Sequence, residues 1–228
     1  MLTFPSSTLV GRAVPKTAFY RNLELNARLK QRFVDDVAGI TWTAKIAPST
    51  LNVEDGQDVH EIVVFHFVLK AEDIPDDVFL TIDRQMPRHI IFLLQWKDNY
   101  RLIVNYKEWH DGTRTQFDIV KTFRTDWKSE DALSLSLEGS TMDKLYERIA
   151  GQISGFGTDT AADTKQVIAL QDAIQSKQRQ AETLQKKVRT ERRFARQMEL
   201  NTEARALKQE IVQLTEQLNK LTNKNKTS

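Results

Sequence analysis

Apolar residues follow two different rules along this chain. Up to about residue 155 they alternate with polar ones or run solid; from residue 164 they recur every three or four positions. In the first region, Glu61–Lys70 (EIVVFHFVLK) is apolar on both alternate sets: Val63, Phe65, Phe67 and Leu69 on one, Ile62, Val64 and Val68 on the other. A strand apolar on both sides is covered on both faces, which predicts a central strand. His89–Trp96 reads the same way. Arg101–Trp109 and Gln116–Phe123 alternate, so each has one wet face. Asp98-Asn99 and Asp111-Gly112 are turn pairs suited to joining such strands. Asp76–Gln85 suits a short helix ending before Pro87. Asn26 is placed to cap a helix with Leu29, Phe33 and Val37 on its inner face and Gly39 as its stop. Met142–Ile153 predicts a closing helix with Leu145, Ile149 and Ile153 inward.

These elements predict an α+β fold: an antiparallel-rich mixed sheet with packed helices, followed by a C-terminal helical coiled coil or helical hairpin. The expected divisions are a globular domain over 1–155, a linker over 156–163, a helical tail over 164–223 and a disordered end over 224–228. Between Thr164 and Asn223 there is neither Gly nor Pro, so a loop of that length is excluded. One seam runs through Val167, Leu170, Ile174, Ala181, Leu184, Val188, Ala195 and Met198; a second runs through Ala204, Leu207, Ile211, Leu214, Leu218 and Leu221. The second is out of register with the first by two residues, which turns the stripe by about 200°. That predicts either a break near Asn201 with a fold-back, or a continuous helix whose stripe changes partner. The expected interface comprises Leu184, Val188, Leu207, Ile211, Leu214, Leu218 and Leu221. A lone helix cannot bury such a seam, so the tail needs its own other arm, a second copy of the chain, or another protein. Self-association is the first expectation.

Charge adds a second asymmetry. Residues 165–228 hold 14 Lys/Arg against 7 Asp/Glu, a balance of +7; with +2 for the whole chain, residues 1–164 carry −5. The densest run is KKVRTERRFAR, where Lys186, Lys187, Arg189, Arg192, Arg193 and Arg196 face only Glu191. Such a cluster predicts contact with DNA or RNA phosphates, or with an acidic protein surface; a solvated helix face is the plainer reading. No base-reading motif accompanies it, so any nucleic-acid contact is to the backbone. Cysteine is absent, which removes disulfides, thiolate nucleophiles and Cys-based metal sites. The start MLTFPSSTLVGRAVPK lacks a signal-peptide pattern, and the longest apolar runs fall short of the roughly 20 residues of a membrane span. A cytoplasmic protein without membrane contact is expected.

Candidate chemistry is sparse. No phosphate-binding glycine loop occurs, VEDGQD (53–58) reads as a turn rather than a calcium loop, and no metal or cofactor is expected. His66 sits among Val64 and Val68 and reads as a core histidine. His60 is too far from it along a strand to share a metal, at about 20 Å. A cryptic metal-dependent nuclease using Glu61, Lys70, Asp83 and His89 is the enzymatic alternative, but the second carboxylate beside Lys70 is missing. Asp83, next to Arg84, reads as a surface pair.

Several segments together carry a family resemblance: Phe33–Ile46 (FVDDVAGITWTAKI) with the APSTLNV that follows, Glu61–Lys70, IDRQMPRHIIF (82–92), NYKE (105–108), TFRTDW (122–127), MDKLYERI (142–149) and ERRFARQMELN (191–201). In that order they resemble a bacterial family defined only as domain of unknown function 4391. The resemblance implies no established activity. Its members are often encoded near helicases, methyltransferases and restriction-type genes. This implies a non-enzymatic accessory or adaptor subunit of a DNA-restriction or antiphage system, with a helicase- or methyltransferase-type partner.

Overall fold

The computed structural model describes residues 2–72, 74–110 and 117–226, with side chains up to Asn223 in the last stretch. The chain divides into a head that ends at Gly155 and a tail that begins at Phe156.

In the head, strands β1 (Leu9–Ala13), β2 (Val37–Ile46), β3 (Ile62–Leu69), β4 (His89–Trp96), β5 (Asn99–Trp109) and β6 (Phe117–Arg124) lie side by side in that order, with β7 (Lys128–Ser129) paired to β5. Neighbours are antiparallel except β3 and β4, which are parallel. A parallel pair needs a crossover, and helix α3 (Asp77–Gln85) supplies it. The antiparallel-rich mixed sheet is therefore as the alternation predicts.

The two apolar sets of β3 serve two layers. Val63, Phe65, Phe67 and Leu69 join Ile90, Phe92, Leu94 and Ile103 in a core cluster with α1 (Lys16–Asn22), α2 (Ala27–Asp35) and α3. Phe67 and Phe79 meet edge-on at 5.5 Å between ring centres, a favourable aromatic geometry. Across the sheet, α4 (Met142–Ser154) lies against β5 and β6, and its Leu145, Ile149 and Ile153 are buried. Gly155 ends α4 at φ 77°, the left-handed turn that glycine adopts without a Cβ penalty.

Asn26 caps α2 as expected, its Oδ1 accepting from the Leu29 N–H at 2.9 Å. The helix stops at Asp35 rather than Gly39, because Val37 already opens β2. Gly39 is a strand residue at a register shift, and a Cβ there would meet nothing within 4 Å. The turn between β4 and β5 is Lys97-Asp98, with Lys97 at φ 53°, one residue earlier than Asp98-Asn99. Asp111-Gly112 lies outside the described residues. The VEDGQD turn folds around a carboxylate of its own chain: the N–H groups of Gln57, Asp58 and Val59 donate to Asp143 in the first turn of α4 at 2.6, 3.1 and 2.8 Å. Gly56 is needed there, since a Cβ would overlap both the Val59 carbonyl and the Asp143 carboxylate.

The tail is two helices, α5 (Ala161–Thr190) and α6 (Phe194–Lys226), packed on each other. Thr160 caps α5, its Oγ1 accepting from the Asp163 N–H at 3.1 Å, so helix begins inside the stretch expected as linker. α6 continues to Lys226, past the expected boundary at 223; residues 227–228 lie outside the described residues. Lys177 pairs with Glu210, and the Gln197 side chain donates to the Val188 carbonyl at 3.1 Å. Both contacts require antiparallel arms. The tail therefore folds back, but at Glu191–Arg193 rather than near Asn201.

Candidate functional site: the basic tip of the helical hairpin

The position of the turn explains the seam. α6 carries an unbroken series of buried or half-buried residues at Gln197, Leu200, Ala204, Leu207, Ile211, Leu214, Leu218 and Leu221. The series on α5 ends at Val188. Ala195 and Met198, assigned from spacing to the first seam, are exposed instead. A heptad register cannot pass through three non-helical residues, so α6 starts its own. The register set by Lys177–Glu210 and Val188–Gln197 places Ile211 level with Ile174 and Gln175, and Leu218 level with Ile168. The interface residues Leu184, Val188, Leu207, Ile211, Leu214, Leu218 and Leu221 are all half-buried.

The fold-back also gathers charge. Lys186, Lys187 and Arg189 are in the last turn and a half of α5; Arg192 and Arg193 are in the turn; Arg196 is in the first turn of α6. All six side chains are exposed. Arg193 is drawn to Glu191, whose carboxylate accepts from the Arg193 N–H at 2.9 Å and from its guanidinium at 3.3 Å. That contact holds the turn and keeps the Glu191 carboxyl below its usual range. Arg196 pairs with Glu199 at 2.6 Å. Exposed pairs of this kind contribute little energy and are given up readily. Among the described residues, Lys186, Lys187, Arg189 and Arg192 make no ion pair. A groove of about 580 Å³ opens at the tip, floored by Leu184 and Leu200 and edged by Lys187, Arg192, Arg193 and Arg196, with Glu191 and Glu203 as its anionic members. Spacing alone did not single out Phe194, which stands in the middle of this cluster, 76% exposed.

The residues considered for catalysis are placed differently. Glu61 is at one end of β3, paired with Lys45 at 2.8 Å and Arg88 at 3.1 Å. Lys70 follows the other end and donates to the Val34 carbonyl at 2.6 Å. These two are roughly 30 Å apart along the strand. Asp83 is no surface pair with Arg84. It lies on the inner face of α3 and is fully buried, ion-paired to Lys107 of β5 and accepting from the Asn105 amide at 2.7 Å. Lys107 also donates to the carbonyls of Asp83 at 3.0 Å and Arg88 at 2.5 Å. Burial pushes the Asp83 carboxyl up to about 6 against the pull of Lys107. The signal for this pair was available: Phe79, Ile82 and Asp83 share one helix face, and a carboxylate on an apolar stripe requires a buried partner. His89 is buried between Tyr146 and Phe117, with ring centres at 4.4 and 5.0 Å. Burial first, then the Lys107 charge, lowers its pKa to about 3, so it is neutral near pH 7. His66 is half-buried beside Tyr100, and burial lowers its pKa as well. Among the described residues, no group of three or more His, Asp or Glu is placed to share a metal ion, and no helix is long and apolar enough to cross a membrane.

No curated protein and no solved structure matches the chain. The family defined as domain of unknown function 4391 matches residues 2–225, head and tail together, and the chain belongs to that family.

Proposed function

We propose that this protein is a non-enzymatic accessory subunit whose helical arm holds nucleic acid by its phosphate backbone. One observation carries the reading: the fold-back at Glu191–Arg193 brings six exposed cations around a single turn, four of them without an ion pair among the described residues. Cations so placed displace the counterions of a polyanion, and the binding free energy comes from that release. With no base-edge reader among them, the contact is indifferent to sequence. In a DNA-restriction or antiphage complex, such a subunit would keep the substrate strand on a helicase- or methyltransferase-type partner. The test is a salt-dependent gel shift with the wild-type chain and a variant in which Lys186, Lys187, Arg189, Arg192, Arg193 and Arg196 are all Gln. The expected result is binding at low salt that the variant loses; equal affinity in both contradicts the proposal.

A second reading concerns assembly. Leu207, Ile211, Leu214, Leu218 and Leu221 remain half-buried after α5 has packed on α6, and Val212 is exposed. Two hairpins joined along these faces would complete the burial as a four-helix coiled coil. Light scattering at micromolar concentration tests it: a dimer is expected, and a monomer with a helical tail contradicts it.

A further inference from the structure

We infer that Phe194 is a stacking platform for an unpaired base, so that the hairpin tip takes single-stranded nucleic acid in preference to duplex. This rests on the phosphate-binding reading of the tip. Phe194 is the most exposed large apolar residue described, at 76%, and Met198, one helical turn on, is 52% exposed. Single exposed apolar residues are ordinary on protein surfaces; the surroundings of this one are not. It is the first residue of α6, directly after Arg192 and Arg193 and two residues before Arg196. Any strand whose phosphates reach those guanidinium groups passes the ring.

Duplex would leave that ring idle. Paired bases keep their faces inside the stack, and a protein held at the phosphates meets only the outside of the cylinder. A single strand offers both phosphates and free base faces. Base–aromatic stacking tolerates any sequence, as suits a tip without a base-edge reader. An anionic membrane is the other surface that basic and apolar groups together attract. An interfacial helix, however, needs a long apolar face. Here the line from Phe194 and Met198 continues into Asn201 and Arg205, so the apolar face is one turn long.

The experiment uses the full chain as wild type, Phe194→Ala and Phe194→Trp. Fluorescence anisotropy follows binding to a labelled oligothymidine and to a duplex of equal length, and sedimentation follows binding to phosphatidylserine vesicles. Wild type should bind the single strand more tightly. Phe194→Ala should lose about tenfold on the single strand and nothing on the duplex, and Phe194→Trp should retain the wild-type affinity. Helix content by circular dichroism should match in all three, since the side chain is exposed. Unchanged single-strand affinity in Phe194→Ala overturns the inference, and if the six-Gln variant still loses both ligands the phosphate reading survives. Wild type that binds neither nucleic acid at low salt removes both. Vesicle binding that depends on Phe194 while oligothymidine binding does not overturns the inference in favour of a membrane.

Discussion

Lys107 and Arg192 carry the same charge in one chain, and the two units use them in opposite ways. The head surrounds Lys107 with the Asp83 carboxylate and the carbonyls of Asp83 and Arg88, and leaves its side chain no contact with water. Thr122 donates to Asn105 at 2.7 Å and Asn105 to Asp83 at 2.7 Å, so the network is closed on the side of β6 as well. A buried charge is tolerable only when it is paired and hydrogen-bonded. This one ties the crossover of α3 and β4 to β5. The tail leaves the Arg192 side chain in solvent at a turn, with no ion pair among the described residues. A cation that has spent its hydrogen bonds internally holds a fold together, and one that has not is free to meet an outside anion.

The largest effect should come from breaking the internal pair. Lys107→Met strands the Asp83 carboxylate and should cost about 3–5 kcal/mol in urea unfolding. Adding Asp83→Leu should restore much of the loss, because two apolar groups replace a pair that neither member can leave alone. A double variant as weak as the single one would mean that the network does more than satisfy its own charges.

His89 should give the next effect, as a pH dependence. Its pKa lies near 3 in the native state against an ordinary 6.5, so the unfolded chain binds the proton more tightly. Stability contributed by the neutral ring is complete above about 6.5 and is lost as pH falls toward 3. Asp83 works the other way, its carboxyl raised to about 6 from 3.8, so acidification through that window favours the native state. The shift at His89 is the larger, and net loss on acidification is expected. In His89→Gln the slope between pH 6.5 and 4 should flatten or reverse; an unchanged slope would assign the acid sensitivity elsewhere.

The hairpin seam should respond less. Ile211→Ala should cost about 1–2 kcal/mol of tail stability, below the roughly 2–5 kcal/mol of a fully buried site, because the side chain is half-buried. Smallest of all, the six Gln substitutions at the tip should each change stability within about 0.5 kcal/mol. A tip variant that unfolds the tail would move those cations into the same class as Lys107.

The sequence made some of this legible and hid the rest for physical reasons. β3 and β4 stand out because both of their faces are covered, so both alternate sets must be apolar. β2 alternates cleanly, with Ile40, Trp42, Ala44 and Ile46 on one set and Gly39, Thr41, Thr43 and Lys45 on the other, but Gly39 mimics a helix stop and draws Val37 to the helix before it. β1 is exposed along its whole length, so burial imposed no pattern on it. The fold-back is implied by a seam that needs a partner, yet its position is not: Glu191–Arg193 turns without Gly or Pro, held by a carboxylate on a backbone N–H. The six cations were visible as a run, but only the turn makes them one surface. Phe194 gave no signal because it fits no seam, and that is why it stands in solvent.

The most direct measurement is the salt dependence of duplex binding by the full chain. If the four tip cations that make no ion pair among the described residues neutralise phosphates, log K should fall with log salt at a slope of about −4 for wild type. The six-Gln variant should show no binding at the same low salt. Binding by the variant with the wild-type slope would place the contact elsewhere, and a wild type that binds neither duplex nor single strand would end the account of the tail as an arm for nucleic acid.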